Sequence, residues 1–304
     1  MNNNQENNKE NNSQPVGGTD YKAEESSQRG TCDKSNPKFT RNGCNIMLLV
    51  ATHKVYWMPE DDLYLPVHAG KINKESIGYI GDDTGDNISL KNRNYCELSC
   101  MYWAWKNLDK NVSHVGLAHY RRHFSIKNKF QILLGSKKDM VLTKNQAKKL
   151  VAEYDLILPK KRNYFIETNQ SHYNHAHNEK DLLKTREIIL SDFPEYINAF
   201  DTVMERTSAH MFNMFIMKRE LFNNYCSWLF FILEKLEKQI DISKYNNYES
   251  RVFGYISELL MDVYVEQNNL SYKEISFMFM DKQNWFKKIS DFLKRKFTGG
   301  PFSK

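Results

Sequence analysis

The 304-residue chain is 40% hydrophobic and 13% aromatic, which is enough to bury a full core and excludes a fibrous or wholly disordered protein. Its formal charge of +6 suits an anionic ligand or an anionic membrane surface but does not by itself argue for nucleic acid. No run of about 18 apolar residues is present and the Asn-rich start is polar, so neither a spanning helix nor a secretory signal is expected, which points to a cytoplasmic protein.

Residues 1–44 are mostly Asn, Gln, Glu, Lys, Ser and Gly and read as a disordered polar tail. An ordered domain is expected over residues 45–281, beginning with the apolar run Ile46 to Ala51, a strand buried on both faces that ends at Thr52-His53-Lys54. A loop with Pro59 and Pro66 leads to Gly81-Asp82-Asp83-Thr84-Gly85-Asp86-Asn87, and then to one amphipathic helix from Asn92 to Leu108. Further strands are expected at Val112 to His119, Asp155 to Pro159, Met211 to Met217 and Ile275 to Met280. Helices are expected at Lys144–Glu153, at Glu179–Leu190 with Asn178 as cap, at Arg219–Ile240 and at Glu249–Val265. The alternation predicts an α/β fold with a mostly parallel sheet, in which ligands bind beyond the carboxyl ends of strands. Residues 282–304 form a basic amphipathic segment suited to the interface of an anionic membrane, or to packing on the domain. Five cysteines, at 32, 44, 96, 100 and 226, form no CxxC pair and read as reduced thiols.

Several motifs carry chemistry. Asp82, Asp83 and Asp86 lie on a flexible turn; they lack EF-hand spacing, so they read either as turn and cap formers or as acceptors for the hydroxyls of a sugar or ribose. His119-Tyr120-Arg121-Arg122 follows a buried strand and offers two guanidinium forks matched to phosphate oxygens, or a solvated basic edge. His172, His175 and His177 suggest a ligand-contacting or structural loop more than a zinc site, because no partner ligands stand at recognisable spacing. His210 is by default a satisfied residue, and Asn213 within an apolar run must either satisfy backbone or reach the ligand.

Taken in order, Val50-Ala51-Thr52-His53-Lys54, Gly78 through Ser89, Tyr95-Cys96-Glu97-Leu98, Tyr102 through Asn107, Val115 through Arg122, Phe212 through Met217 and Phe253 through Glu258 resemble the bacterial capsular and exopolysaccharide glycosyltransferases described as domain of unknown function 4422. The resemblance implies a GT-A-like nucleotide-sugar fold and transfer of a hexose, galactofuranose in relatives, from a UDP-sugar donor to a lipid-linked saccharide. It implies donor contacts from Thr52, His53, Asp82, Asp83, Asp86, His119, Arg121 and Arg122; His175, His177 and Asn213, read from the residues themselves, are the candidates for further donor or acceptor contacts. The Asp-x-Asp metal motif of other GT-A enzymes is missing where His119, Arg121 and Arg122 stand. Cationic side chains in place of Mg²⁺ or Mn²⁺ are the simplest expectation. His210, Asp83 and Glu258 are the candidates for the base of an inverting transfer. The expected partners are the donor, a lipid-linked oligosaccharide and the inner face of an anionic membrane, with no nucleic acid. The rival class is a non-catalytic binder of an anionic polymer or saccharide; a nucleotide-sugar hydrolase or mutase is the second enzyme reading.

Overall fold

The computed structural model describes residues 45–281; the expected polar tail and the basic amphipathic C-terminal segment lie outside the described residues. β1 (Ile46–Thr52) is followed by β2 (Tyr64–His68), β3 (Ile80–Gly81), α1 (Asn92–Tyr95), α2 (Leu98–Asn107), β4 (His114–His119) and β5 (Arg122–Ser125). Next come α3 (Lys129–Leu134), α4 (Lys144–Glu153), β6 (Leu156–Pro159), β7 (Arg162–Asn163), α5 (Asn169–Ala176), α6 (Glu179–Asp192) and α7 (Ile197–Glu205). β8 (Ser208–Ala209), β9 (Phe215–Lys218), α8 (Arg219–Gln239), α9 (Val252–Gln267) and β10 (Lys273–Phe279) complete the described chain.

The main sheet runs β3-β2-β1-β4-β5-β10-β6-β9, and β9 also pairs with β4, so that β4, β5, β10, β6 and β9 close into a small barrel. β1 through β4 are mutually parallel. β5 and β9, by contrast, run antiparallel to both of their neighbours. The α/β expectation stands, but the sheet is mixed rather than mostly parallel. The reason is local: only Tyr120 and Arg121 separate β4 from β5, and a two-residue link reverses the chain, whereas a parallel return needs a crossover of about a dozen residues.

β1 is buried on both faces because its side chains alternate between two cores. Met47, Leu49 and Ala51 face the helices α2, α8 and α9, while Ile46, Leu48 and Val50 face α4. α8 seals the larger core with Phe222, Tyr225, Cys226, Leu229, Ile232, Leu233 and Leu236, all buried at helical spacing. α4 begins at a capping box: Gln146 N–H donates to Thr143 Oγ1 and Thr143 N–H donates to Gln146 Oε1. Gly116 sits in β4 where a Cβ would stand 2.6 Å from Leu48 Cδ1 and 2.8 Å from the Phe215 carbonyl.

Three departures from the sequence expectation shape the site. The single helix expected over Asn92–Leu108 is broken at Cys96, whose φ of 53° ends α1 and puts Glu97 at the start of α2. The strand expected from Met211 begins only at Phe215, because Phe212 (φ 78°) and Asn213 (φ 51°) form a left-handed turn. The histidine-rich loop is largely helix: α5 is capped by Thr168, whose side chain accepts from Ser171 N–H, and His177 follows its end.

Candidate functional site

The parallel strands end along one edge, and cationic groups collect there. Thr52, His68 and His119 are the last residues of β1, β2 and β4, Arg121 lies in the turn into β5, and Arg122 is the first residue of β5. His53 has Lys54, Arg121, Lys74 and His68 as electrostatic neighbours; partial burial and these cations push its pKa down. Buried His68 has no hydrogen-bond partner for Nδ1, and burial, Lys74 and Lys71 keep it neutral. Asp83 pairs with Lys71 at 3.3 Å and so joins this cationic edge. Ligands of parallel sheets bind at such a place.

Beside this edge lies an inner cluster built on the Phe212-Asn213 turn. Asn213 is buried; its Nδ2 donates to Glu97 Oε1 at 2.7 Å and to the Gly254 carbonyl at 3.1 Å, and Ser257 Oγ donates to its Oδ1 at 2.9 Å. His119 Nε2 donates to the Phe212 carbonyl at 2.6 Å, and the Phe212 backbone also bonds the Glu258 carboxyl. The turn thereby ties the end of β4, the start of α2 and α9 into one unit. Burial pushes the Glu258 carboxyl up to about 8, with neighbouring Glu97 adding to the shift and Arg122 opposing it. Arg122 packs its guanidinium on Phe212 at 4.4 Å and Phe279 at 5.4 Å, and its buried Nε has no hydrogen-bond partner. Glu258 and Glu97 are its compensating charges. Arg251 reaches the same cluster through Cys96 Sγ at 3.2 Å.

His119 differs from the expectation of a cationic phosphate ligand. Burial lowers its pKa, and the carbonyl it meets can only accept, so the ring is neutral with its hydrogen on Nε2. It positions the Phe212-Asn213 turn instead. Arg121 and Arg122 divide as expected for neighbours on an extended chain: Arg121 is half exposed and meets Asp281 at 3.4 Å, whereas Arg122 turns inward.

Other predicted residues are occupied with structure. Asp82 is fully buried, and its oxygens accept from Gly70 N–H, Lys71 N–H, Ser89 Oγ and Ser99 Oγ at 2.5–2.9 Å, which removes it from the donor-binding set. Asp82→Ala is expected to lose about 3 kcal/mol or more of stability by stranding these donors; an unchanged unfolding temperature with a weakened donor KM would return it to the site. Asp86 is exposed and docked on α2: Asn107 Nδ2 donates to its carbonyl at 2.7 Å, and Tyr102 OH reaches its carboxylate at 3.3 Å. Gly85, at φ 57°, permits this approach, because a Cβ there would stand 1.9 Å from Asn107 Oδ1. Thr52 Oγ1 donates to the Lys54 carbonyl at 2.7 Å and shapes the end of β1.

His210 is removed as a base. Its Nδ1 pairs with Asp262 and its Nε2 with Glu274 at 2.9 Å, so both ring nitrogens of this buried side chain are engaged by carboxylates. Asp83 belongs to the Lys71 edge rather than to the Glu97–Glu258 cluster. Glu258 alone of the three candidates lies among Arg122, Arg251 and Glu97. His175 is exposed and shares Glu167 with His172. His177 stacks on Tyr255 at 4.0 Å and on Tyr248 at 5.3 Å, with its pKa pushed to about 4 by burial; Arg251 is among its electrostatic neighbours. Among the described residues no group of three His, Cys, Asp or Glu is arranged to hold a metal ion, and the turn carboxylates are committed as above.

Sequence reasoning missed Glu97, His68, Lys71 and Lys74 as site residues. Glu97 was hidden because its exposure to the cluster depends on the break at Cys96. His68 was hidden because β2 contains Pro66 and did not read as a strand.

The solved "WbbM bifunctional glycosytransferase apo structure" is similar, with a TM-score of 0.70 and 31% identity over 78% of this chain and 46% of that one. The chain therefore spans just under half the length of that protein. No curated protein matches the sequence. The family model for the domain of unknown function DUF4422 matches residues 47–269, and the chain belongs to that family.

Proposed function

We propose that the chain is a glycosyltransferase of GT-A-like fold that moves a hexose from a UDP-sugar donor to a saccharide acceptor with inversion. The observation that carries this reading is the juxtaposition, at one sheet edge, of a cationic rim and a carboxyl held near neutral pKa by burial. The rim of Lys71, Lys74 and Arg121, beside His53 and with Arg122 behind it, suits a nucleoside diphosphate. Arg122, with an unpartnered Nε, supplies the fork that stabilises the departing diphosphate as charge grows on it. The Glu258 carboxylate takes the acceptor hydroxyl proton. The acceptor oxygen then bonds to the anomeric carbon while the bond from that carbon to the phosphate oxygen breaks and UDP leaves with the electron pair.

In this reading guanidinium and ammonium groups do the work of a divalent ion. Galactofuranose as the donor sugar and a lipid-linked acceptor in capsule, exopolysaccharide or O-antigen synthesis rest on the family resemblance. Attachment of residues 282–304 to the inner membrane face rests on their basic amphipathic sequence. The polymer-binding alternative loses its platform, because Tyr102 and Trp105 pack on Phe230 at 5.0 and 5.8 Å and Tyr95 is buried on Phe253. The test is UDP release from UDP-hexoses, UDP-galactofuranose among them, with and without a saccharide acceptor. Acceptor-dependent release is expected; equal release without acceptor would make the protein a hydrolase, and no release from any donor would contradict the proposal.

A further inference from the structure

α3 turns an apolar face to solvent: Phe130 is 68%, Leu133 80% and Leu134 71% exposed, with Ile126 at 47% just before it. Single exposed apolar residues are ordinary, but a cluster of this density on a short element marks a contact surface. The projection is held at both ends. Asn128 and Gln131 close a capping box, Ser125 Oγ donates to the Met140 carbonyl at 2.7 Å, and Lys137 Nζ donates to the carbonyls of Phe279 and Asp281 at 2.6 and 3.1 Å.

We infer that α3 is an interfacial anchor that inserts Phe130, Leu133 and Leu134 into an anionic lipid surface. Charge selects this occupant. Residues 126–140 hold four Lys against one Asp, so the segment that carries the apolar knob has a net positive charge, which is attracted to anionic headgroups. The chain's own residues 282–304 are an unsuitable cover, since they carry seven Lys or Arg against one Asp and would bring like charge to like charge. A second copy of α3 meets the same repulsion.

The knob is also tied to the candidate site. β5 runs from Arg122 directly toward it, and Asp281, which Arg121 contacts, has its carbonyl held by Lys137. An anchored α3 therefore holds the cationic edge beside the surface. The anchor itself does not depend on the transfer reading.

The test is co-sedimentation of the full chain with vesicles of phosphatidylglycerol in phosphatidylcholine, and with phosphatidylcholine alone. The parent is expected to bind the mixed vesicles, and the triple variant Phe130→Ser, Leu133→Ser, Leu134→Ser to bind at least about tenfold more weakly with an unchanged unfolding temperature. Equal binding of parent and variant, absence of parent binding, or equal binding to neutral vesicles would overturn the proposal. So would a parent dimer in sedimentation velocity that the variant abolishes. Failure of UDP release leaves vesicle binding intact, so the two proposals fail separately.

Discussion

Glu258→Gln is expected to lower turnover by about 10²–10⁴-fold, the usual contribution of a general base, while UDP still binds. The parent's rate should rise with pH and level off above about 8, because only the ionised Glu258 accepts the proton. Stability moves the other way. The folded-state pKa is raised, so the contribution of Glu258 is complete below the ordinary carboxyl range and fades as pH rises through about 8. The Gln variant, which never ionises, should therefore gain unfolding temperature over the parent at about pH 9 relative to about pH 5. A flat rate profile, or a Gln variant that turns over normally, would place the base elsewhere.

Arg122→Ala is expected to cost about 10²–10³-fold in kcat, the scale seen on removing one donor to a developing oxyanion. Arg122→Lys should recover little of it, because an ammonium cannot reproduce a planar fork packed against Phe212 and Phe279. Arg121→Ala should cost less, since Arg121 is half exposed and shared with Asp281. Measuring kcat and KM for both alanine variants, with circular dichroism to confirm folding, decides between them; a larger loss at Arg121 would reverse the assignment.

Much of the frame was legible because it is written in local pattern. The continuous apolar run of β1, the helical segments of α4 and α8 and the Asn178 cap of α6 depend on neighbours within a few residues, and each element lies within a few residues of its expected position. Strand direction was not legible, since burial on both faces looks the same in parallel and antiparallel pairs. The site was half legible for a related reason. A carboxylate on a turn and a carboxylate buried under four donors share one sequence signature, so the sequence left Asp82 open between a structural role and a ligand contact, and the structure shows it as an anchor. His210 stayed among the base candidates because Asp262 and Glu274, its two partners, are distant in sequence. Glu97 reaches the cluster only through the left-handed residue Cys96, and the Phe212-Asn213 turn is likewise made by residues that rarely take positive φ.

The central claim is that side-chain cations at the sheet edge hold a nucleoside diphosphate without a divalent ion. Its most direct test is a thermal-shift titration of the parent and Arg122→Ala with UDP in the presence of a chelator. A concentration-dependent rise in unfolding temperature that survives the chelator in the parent and is lost in Arg122→Ala is the predicted result. A rise that vanishes with the chelator, or that is equal in the two proteins, would contradict it.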